Sequence, residues 1–455
     1  MPGIHGKGKR GNQALEAGGI LLVFHAVHRK EWQPILGGEQ AARAWQVIEF
    51  IARDLRARQG TYAHDFSLSQ GMSGIAVLFA YLSRAGVGAD AGEFSLQSLE
   101  RAMDGAASTP MSLGLYSGLT GVAWAAEHVH QCLFGQGPED LTAQVMELVL
   151  AQLAGPGWDG GHDLVSGLVG LGVYGLAYPE RSAAKECLGQ VVRLLENSSE
   201  RDGLGARWWT VPAKQAPHLR TRYNVPHLNL GMAHGSPGVI VLLARACSAW
   251  ELPPARELLR DAVRDLLRER LPEEKASRFP AWVARSLPSK EARAAWCYGD
   301  PGVAAALLWA ARELGVSEWE REALLTACLA AQRPVEECRV KDALVCHGMA
   351  GLGHVFNRLY QATGEPRLLD AARGWFSRTL EVFQPGCGIG GYQRLELEGV
   401  ASEAWQDAPG VLSGSAGVAL ALLAATTHLE PRWDRMLLMD LPPGPPAVEA
   451  PSREP

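Results

Sequence analysis

The strongest constraint in this chain is one short pattern that recurs seven times: G-x-x-G followed by an apolar run. It reads SQGMSGIAVLFAYL from residue 69, YSGLTGVAWAAEHV from 116 and VSGLVGLGVYGLAY from 165. It returns as AHGSPGVIVLLARA from 233, CYGDPGVAAALLWAA from 297, CHGMAGLGHVFNRLY from 346 and LSGSAGVALALLAA from 412. The first glycines stand at 71, 118, 167, 235, 299, 348 and 414, with gaps of 47, 49, 68, 64, 49 and 66. Repeats of this length are the mark of stacked supersecondary units, each too small to bury its own apolar face. Each gap holds a helix, a turn and a second helix, and the longer gaps leave room for an insertion.

The run after each glycine pair is rich in Ala and Leu, about 10–15 residues long and apolar nearly all round, which predicts a buried helix. Pro237 and Pro301 fall in the glycine segment, where a first-turn proline needs no amide donor. Glycine at these starts predicts close backbone approach and unusual dihedral angles. The intervening segments, such as ARELLRDAVRDLLRERL at 255–271, are amphipathic and predict outer helices. Seven inner and seven outer helices closed in a ring make an all-α, α/α toroid. The long, aromatic segment 201–227 predicts a small β-like insertion or lid before the fourth inner helix.

The ring makes the polar residues legible, because equivalent repeat positions lie level with one another at one end of the barrel. The residues just before the first glycines are Gln70, Ser117, Ser166, His234, Tyr298, His347 and Ser413. One position earlier stand Ser69, Tyr116, Val165, Ala233, Cys297, Cys346 and Leu412. Cys297 and Cys346 thus share a repeat position in adjacent units, with His347 beside Cys346. Two thiols and an imidazole, leaving one position open, are the donor set of a catalytic zinc, and soft ligands select zinc over magnesium or calcium. Helix N-termini favour the thiolates such a site needs. A lone cysteine is more often a small buried apolar residue; the repeat equivalence is what sets this trio apart. The other cysteines, Cys387 in PGCGIGG among them, read as structural, and His354 reads as a deeper core histidine.

Composition bounds the remainder. The formal net charge of -6 argues against a nucleic-acid partner. Eight cysteines scattered through 455 residues fit a reducing compartment. The apolar run near residue 20 is about ten residues long, too short to span a bilayer. The expected organisation is an N-terminal extension at 1–40, a toroid at 41–432 and a disordered, Pro-rich tail at 433–455, in a soluble cytoplasmic protein without a transmembrane segment.

WCYGDPG at 296–302, CHGMAG at 346–351 and NLGMAHGSPG at 229–238 resemble the signature motifs of the lanthionine synthetase C-like family. That family includes the bacterial lanthipeptide cyclases and their eukaryotic relatives. The resemblance runs over roughly residues 40–430 and implies an α/α toroid with a central Zn2+ held by Cys297, Cys346 and His347. It also implies catalytic roles for His234 and Asp163, with Arg293 and Tyr298 flanking the first zinc cysteine. The implied reaction is Michael-type addition of peptide cysteine thiols to dehydroalanine or dehydrobutyrine, giving thioether rings. The substrate is then a dehydrated precursor peptide, and a separate dehydratase and an exporter are candidate partners. Two alternatives stand beside it: addition of glutathione or another free thiol to dehydroamino acids in proteins, and a zinc-binding scaffold without catalysis.

Overall fold

The computed structural model describes residues 14–17, 20–23, 31–135, 142–155, 157–177, 181–214, 224–250, 252–398 and 402–442. Its helices alternate outer and inner around a ring. The pairs are α1 (Gly38–Ala57) with α2 (Met72–Arg84), α3 (Ala91–Ser108) with α4 (Leu119–Phe134), and α5 (Ala143–Leu153) with α6 (Leu168–Leu176). They continue as α7 (Ser182–Ser198) with α8 (Ser236–Ala249), and α9 (Pro253–Arg268) with α10 (Asp300–Leu314). After α11 (Ser317–Gln332) comes a single turn, α12 (Val335–Cys338), then the inner α13 (Met349–Thr363). The outer α14 (Pro366–Glu381) and the inner α15 (Ser415–Thr426) complete the circuit. Every inner helix packs on the next, and α15 packs on both α2 and α1, which closes the toroid. The expected seven inner and seven outer helices are all present.

Sequence composition explains the two layers. Inner helices are apolar on all sides because all sides are covered: every residue of α2 from Met72 to Leu82 is buried. Outer helices bury one stripe, as α9 does with Leu258, Leu259, Ala262, Val263 and Leu266. The glycine pairs serve close approach, because the loop that leads into each inner helix folds back against the helix start. A Cβ at Gly351 would strike Val345 O, for example. The expected unusual dihedral angle occurs at one first glycine among the seven: Gly299 has φ 120°, and the other six are extended.

The loops before the inner helices form a closed belt of backbone hydrogen bonds. Ser69 N–H donates to Tyr116 O, Tyr116 to Val165 O, Leu164 to Ala233 O and Ala233 to Cys297 O. Cys297 donates to Cys346 O, Cys346 to Leu412 O and Leu412 back to Ser69 O. These buried polar groups could not be left unpaired without cost, so the belt fixes the residues two before each first glycine at one level.

Among the described residues the strands are few and, apart from one N-terminal hairpin, lie in the long gaps. The hairpin β1 (Ala14–Ala17) and β2 (Ile20–Val23) precedes the ring. The insertion expected before the fourth inner helix contains the hairpin β3 (Glu200–Arg201) and β4 (Ala206–Arg207). It also holds β5 (Trp209–Thr210) and β6 (His227–Asn229), which pair antiparallel with β7 (Trp282–Val283) from the following gap. A third hairpin, β8 (Gln393–Glu398) and β9 (Ser402–Asp407), fills the gap before α15.

Both domain boundaries move outward. Trp32, Ile35 and Leu36 are buried before α1, and Ile35 and Leu36 donate to Ala425 O across the ring closure. At the other end, residues 433–442 are no loose tail. Trp433, Asp434, Met436, Leu438 and Met439 are fully buried, in and after a 3-10 turn at Arg432–Leu437. The proline-rich composition that suggested disorder starts only at 442, and residues 443–455 lie outside the described ones. The buried segment is tied to the inner ring by Tyr116 Oη–H to Met436 O (2.8 Å), Trp296 Nε1–H to Leu437 O (2.9 Å) and Arg312 to Pro442 O. No helix among the described residues is long and apolar enough to cross a membrane.

Candidate metal centre and its acid–base neighbours

Two adjacent links of the belt bring Cys297 and Cys346 together, and His347 follows Cys346 directly into α13. One ligand atom from each of Cys297, Cys346 and His347 lies within 4.8 Å of the other two. Cys297 is buried, Cys346 partly so, and the His347 side chain keeps 31% of its surface exposed. A hydrogen bond from Cys346 holds the Cys297 thiol well below its ordinary range against its burial, helped by His347 and by the charge of Arg293. Cys346, facing that sulfur, is pushed up by it and by burial. Burial opposes a proton on His347, but the Cys297 sulfur and Asp342 outweigh it and draw its pKa upward. A thiolate and a polarised imidazole crowded on one point are the chemistry of a soft metal site. These residues fit a zinc ion with a fourth position open.

The next belt positions carry a second group. His234 Nδ1 stands 3.7 Å from Asp163 Oδ1, with side-chain exposures of 32% and 17%. Burial would raise the Asp163 carboxyl, but the neighbouring His234 holds it below the usual carboxylate range. Asp163 Oδ1 also accepts the Val165 and Ser166 amides at 2.8 and 3.0 Å, so it closes the loop before α6 as well as facing His234. The Tyr298 ring stacks near His234, centroids 6.1 Å apart. Its hydroxyl accepts a 2.9 Å hydrogen bond from Asn229 Nδ2, and the Gly231 amide fixes that side chain by donating to its Oδ1. Arg293 is placed on the thiol side, where its charge acts on Cys297, Cys346 and His347. No ion pair joins it to Asp163 among the described residues. All seven residues singled out in the sequence therefore lie on the same rim of loops.

The family model for the lanthionine synthetase C-like protein matches residues 62–438. The chain belongs to the lanthionine synthetase C-like family. Among solved structures, nisin cyclase matches with a TM-score of 0.70 at 18% identity, covering 87% of this chain and 97% of that one. That likeness establishes a shared fold. A sugar epimerase from a ruminal bacterium follows at a TM-score of 0.43 and 11% identity, covering 80% of this chain and 88% of that one, too distant to bear on the site. The family match runs to residue 438 and so takes in residues 433–438 of the buried C-terminal segment.

Three site neighbours escaped the sequence reading. Asp342 faces His347, Nε2 to Oδ2 3.7 Å, and Asn229 holds Tyr298. Both stand six residues before a first glycine, the position that Arg293 occupies in the repeat between them. Aligning the repeats three or four residues further upstream would have exposed that register. His162, next to Asp163, is half-buried beside Trp208, and desolvation of its ring pushes its pKa down to about 4. It is a neutral wall of the site.

Proposed function

We propose that this chain is a zinc-dependent lanthipeptide cyclase, adding peptide cysteine thiols to dehydroalanine or dehydrobutyrine in the same precursor peptide. The observation that carries this reading is the Cys297, Cys346 and His347 donor cluster on the same rim as the His234–Asp163 pair. Zinc held by the cluster would acidify a substrate thiol, supplying thiolate at neutral pH. The protein's own groups handle the remaining charge and protons. As the S–Cβ bond forms, the π pair of the Cα=Cβ bond moves onto Cα and its carbonyl. Tyr298, oriented by Asn229, and the positive charge of Arg293 are the groups able to stabilise that enolate. His234 returns a proton to Cα, while Asp163 orients its ring. The thiol proton released at the start balances the one delivered at Cα, so the addition is neutral overall. The dehydrated peptide would come from a separate dehydratase, in the cytoplasm.

Incubating the zinc-loaded protein with a dehydrated, cysteine-containing peptide tests the proposal. Each ring formed removes one alkylatable thiol without changing peptide mass. An unchanged thiol count across several dehydrated peptides refutes cyclisation. A mass increase of one glutathione per dehydroalanine would point to free-thiol addition by the same centre.

A further inference from the structure

We infer that Asp342 is a positioning residue for the metal centre, orienting His347 through its second carboxylate oxygen. The inference rests on the zinc reading of the cluster and names a residue that the donor set does not include.

In four of the seven repeats the residue six before the first glycine closes the same turn. Asp65 accepts the Ser67 amide (2.9 Å), Ser112 the Gly114 amide (3.3 Å), Asn229 the Gly231 amide (3.0 Å) and Asp342 the Leu344 amide (3.1 Å). One acceptor oxygen suffices for this turn, since a serine and an asparagine both supply it. The negative charge and the second oxygen at 342 are therefore not required by the loop. Yet the Asp342 side chain is only 1% exposed, and its Oδ2 is buried with no hydrogen-bond partner. Leaving a buried carboxylate oxygen unsatisfied is costly, more so than for a neutral acceptor. His347 Nε2 stands 3.7 Å away, slightly beyond hydrogen-bond reach, so a small ring movement joins them. With Nε2 turned to Asp342, Nδ1 is the nitrogen left for a ligand bond. A carboxylate behind a metal-bound histidine sets the tautomer, fixes the ring and raises its basicity. Asn229 shows the same division of labour two repeats away: one atom closes the loop and the other holds the site residue Tyr298.

That parallel supplies the test. Asp342→Asn keeps the loop acceptor but puts an amide donor or a neutral oxygen where Oδ2 faces His347; Asp342→Ala removes both functions. Wild type and the two variants are compared for apo melting temperature, for zinc affinity by competition with a chromophoric chelator, and for the visible spectrum of the Co2+-substituted protein. Asp342→Asn should melt with the wild type when metal-free, bind zinc about 10–100-fold more weakly and shift the Co2+ ligand-field bands. Asp342→Ala should lose apo stability as well. An Asp342→Asn protein with wild-type zinc affinity and an unchanged Co2+ spectrum overturns the inference while leaving the cyclase reading intact. A wild type that takes up no zinc overturns both, so the two failures are distinguishable.

Discussion

Replacing Asp434 tests whether the C-terminal segment is a working part of the ring. Its carboxylate is fully buried and accepts from Arg358 Nε (2.6 Å), Arg358 Nη2 (2.9 Å) and His354 Nε2 (2.7 Å). Arg358 and His354 both belong to the inner helix α13, whose N-terminus carries His347 just before it. The Arg358 side chain is 5% exposed and that of His354 1%. In Asp434→Ala, Arg358 keeps Pro431 O at 3.1 Å, the face of Trp32 at 4.8 Å and a distant, half-exposed Glu430, with no close carboxylate in its place. Removing one partner of a buried pair strands the other charge, at about 3–5 kcal/mol. At roughly 2.1 cal/mol/K per residue over roughly 400 ordered residues, that lowers the melting temperature by about 4–6 °C. Because Trp433 stacks on His354, 4.8 Å between centroids, the rest of the segment should loosen with it. Calorimetry gives the midpoint, and limited proteolysis reports whether cleavage moves to residues 430–442. The double variant Asp434→Asn with Arg358→Met, which removes both charges, should recover much of the loss.

The pH dependence has a defined sign. Burial works to raise the Asp434 carboxyl, but Arg358 and His354 outweigh it and hold it below its ordinary value. Its stabilisation is thus present above the unfolded carboxyl value of about 3.9 and lost as pH falls through the folded one. A melting temperature within 1 °C of wild type at pH 7, with no new cleavage, would refute the claim that this segment is structurally coupled to the ring.

His234→Asn should lower cyclisation about 10²–10⁴-fold with zinc content unchanged; full turnover in that variant, by the thiol assay, removes it as proton donor. Gly299→Ala forces a side chain into φ 120° and against Arg293 O. It should cost about 1–3 kcal/mol by urea denaturation and weaken zinc binding at the adjacent Cys297, whereas a silent substitution would show that the loop relaxes freely. Burial pushes the pKa of His162 down to about 4 and that of His128 to about 3. Both are depressed below the unfolded value of about 6.5, so stability should fall as pH drops below it, by up to about 1.4 kcal/mol per pH unit for each histidine. The urea midpoint between pH 7 and 5 measures this, and His128→Gln should flatten the slope; a slope identical to wild type would contradict it.

The ring was readable because its determinants are local and repeated. A glycine pair that must admit a loop backbone and an apolar run that must face other helices leave the same mark seven times. The placement of Cys297 beside Cys346 followed from the same register, and the backbone belt is the physical reason why equal repeat positions are level. What escaped notice depends on contacts that no local pattern encodes. The segment WDRMLLM at 433–439 carries no repeat signal, and the prolines after it suggested a tail. Its burial is decided by Asp434 meeting Arg358 and His354, across 76 and 80 residues of sequence. The same holds for Asp342, which looks like an ordinary turn acid until its second oxygen is seen facing His347.

That difference bears on how the site is built. The donor cluster is held from two directions: the belt fixes the Cys297 and Cys346 backbones at the rim, and the C-terminal segment anchors what lies beneath it. Trp296, one residue before Cys297, donates to Leu437 O, and Tyr116, a belt residue, donates to Met436 O. A thiol pair near the open end of a barrel needs such backing, because each ligand atom must be held to within a few tenths of an ångström for one ion to satisfy all of them. Loss of the segment's anchor at Asp434 should therefore appear at the metal centre as well as in the melting temperature. Zinc affinity and global stability falling together in Asp434→Ala, but separately in Asp342→Asn, would distinguish the scaffold beneath the site from the residue that aims its histidine.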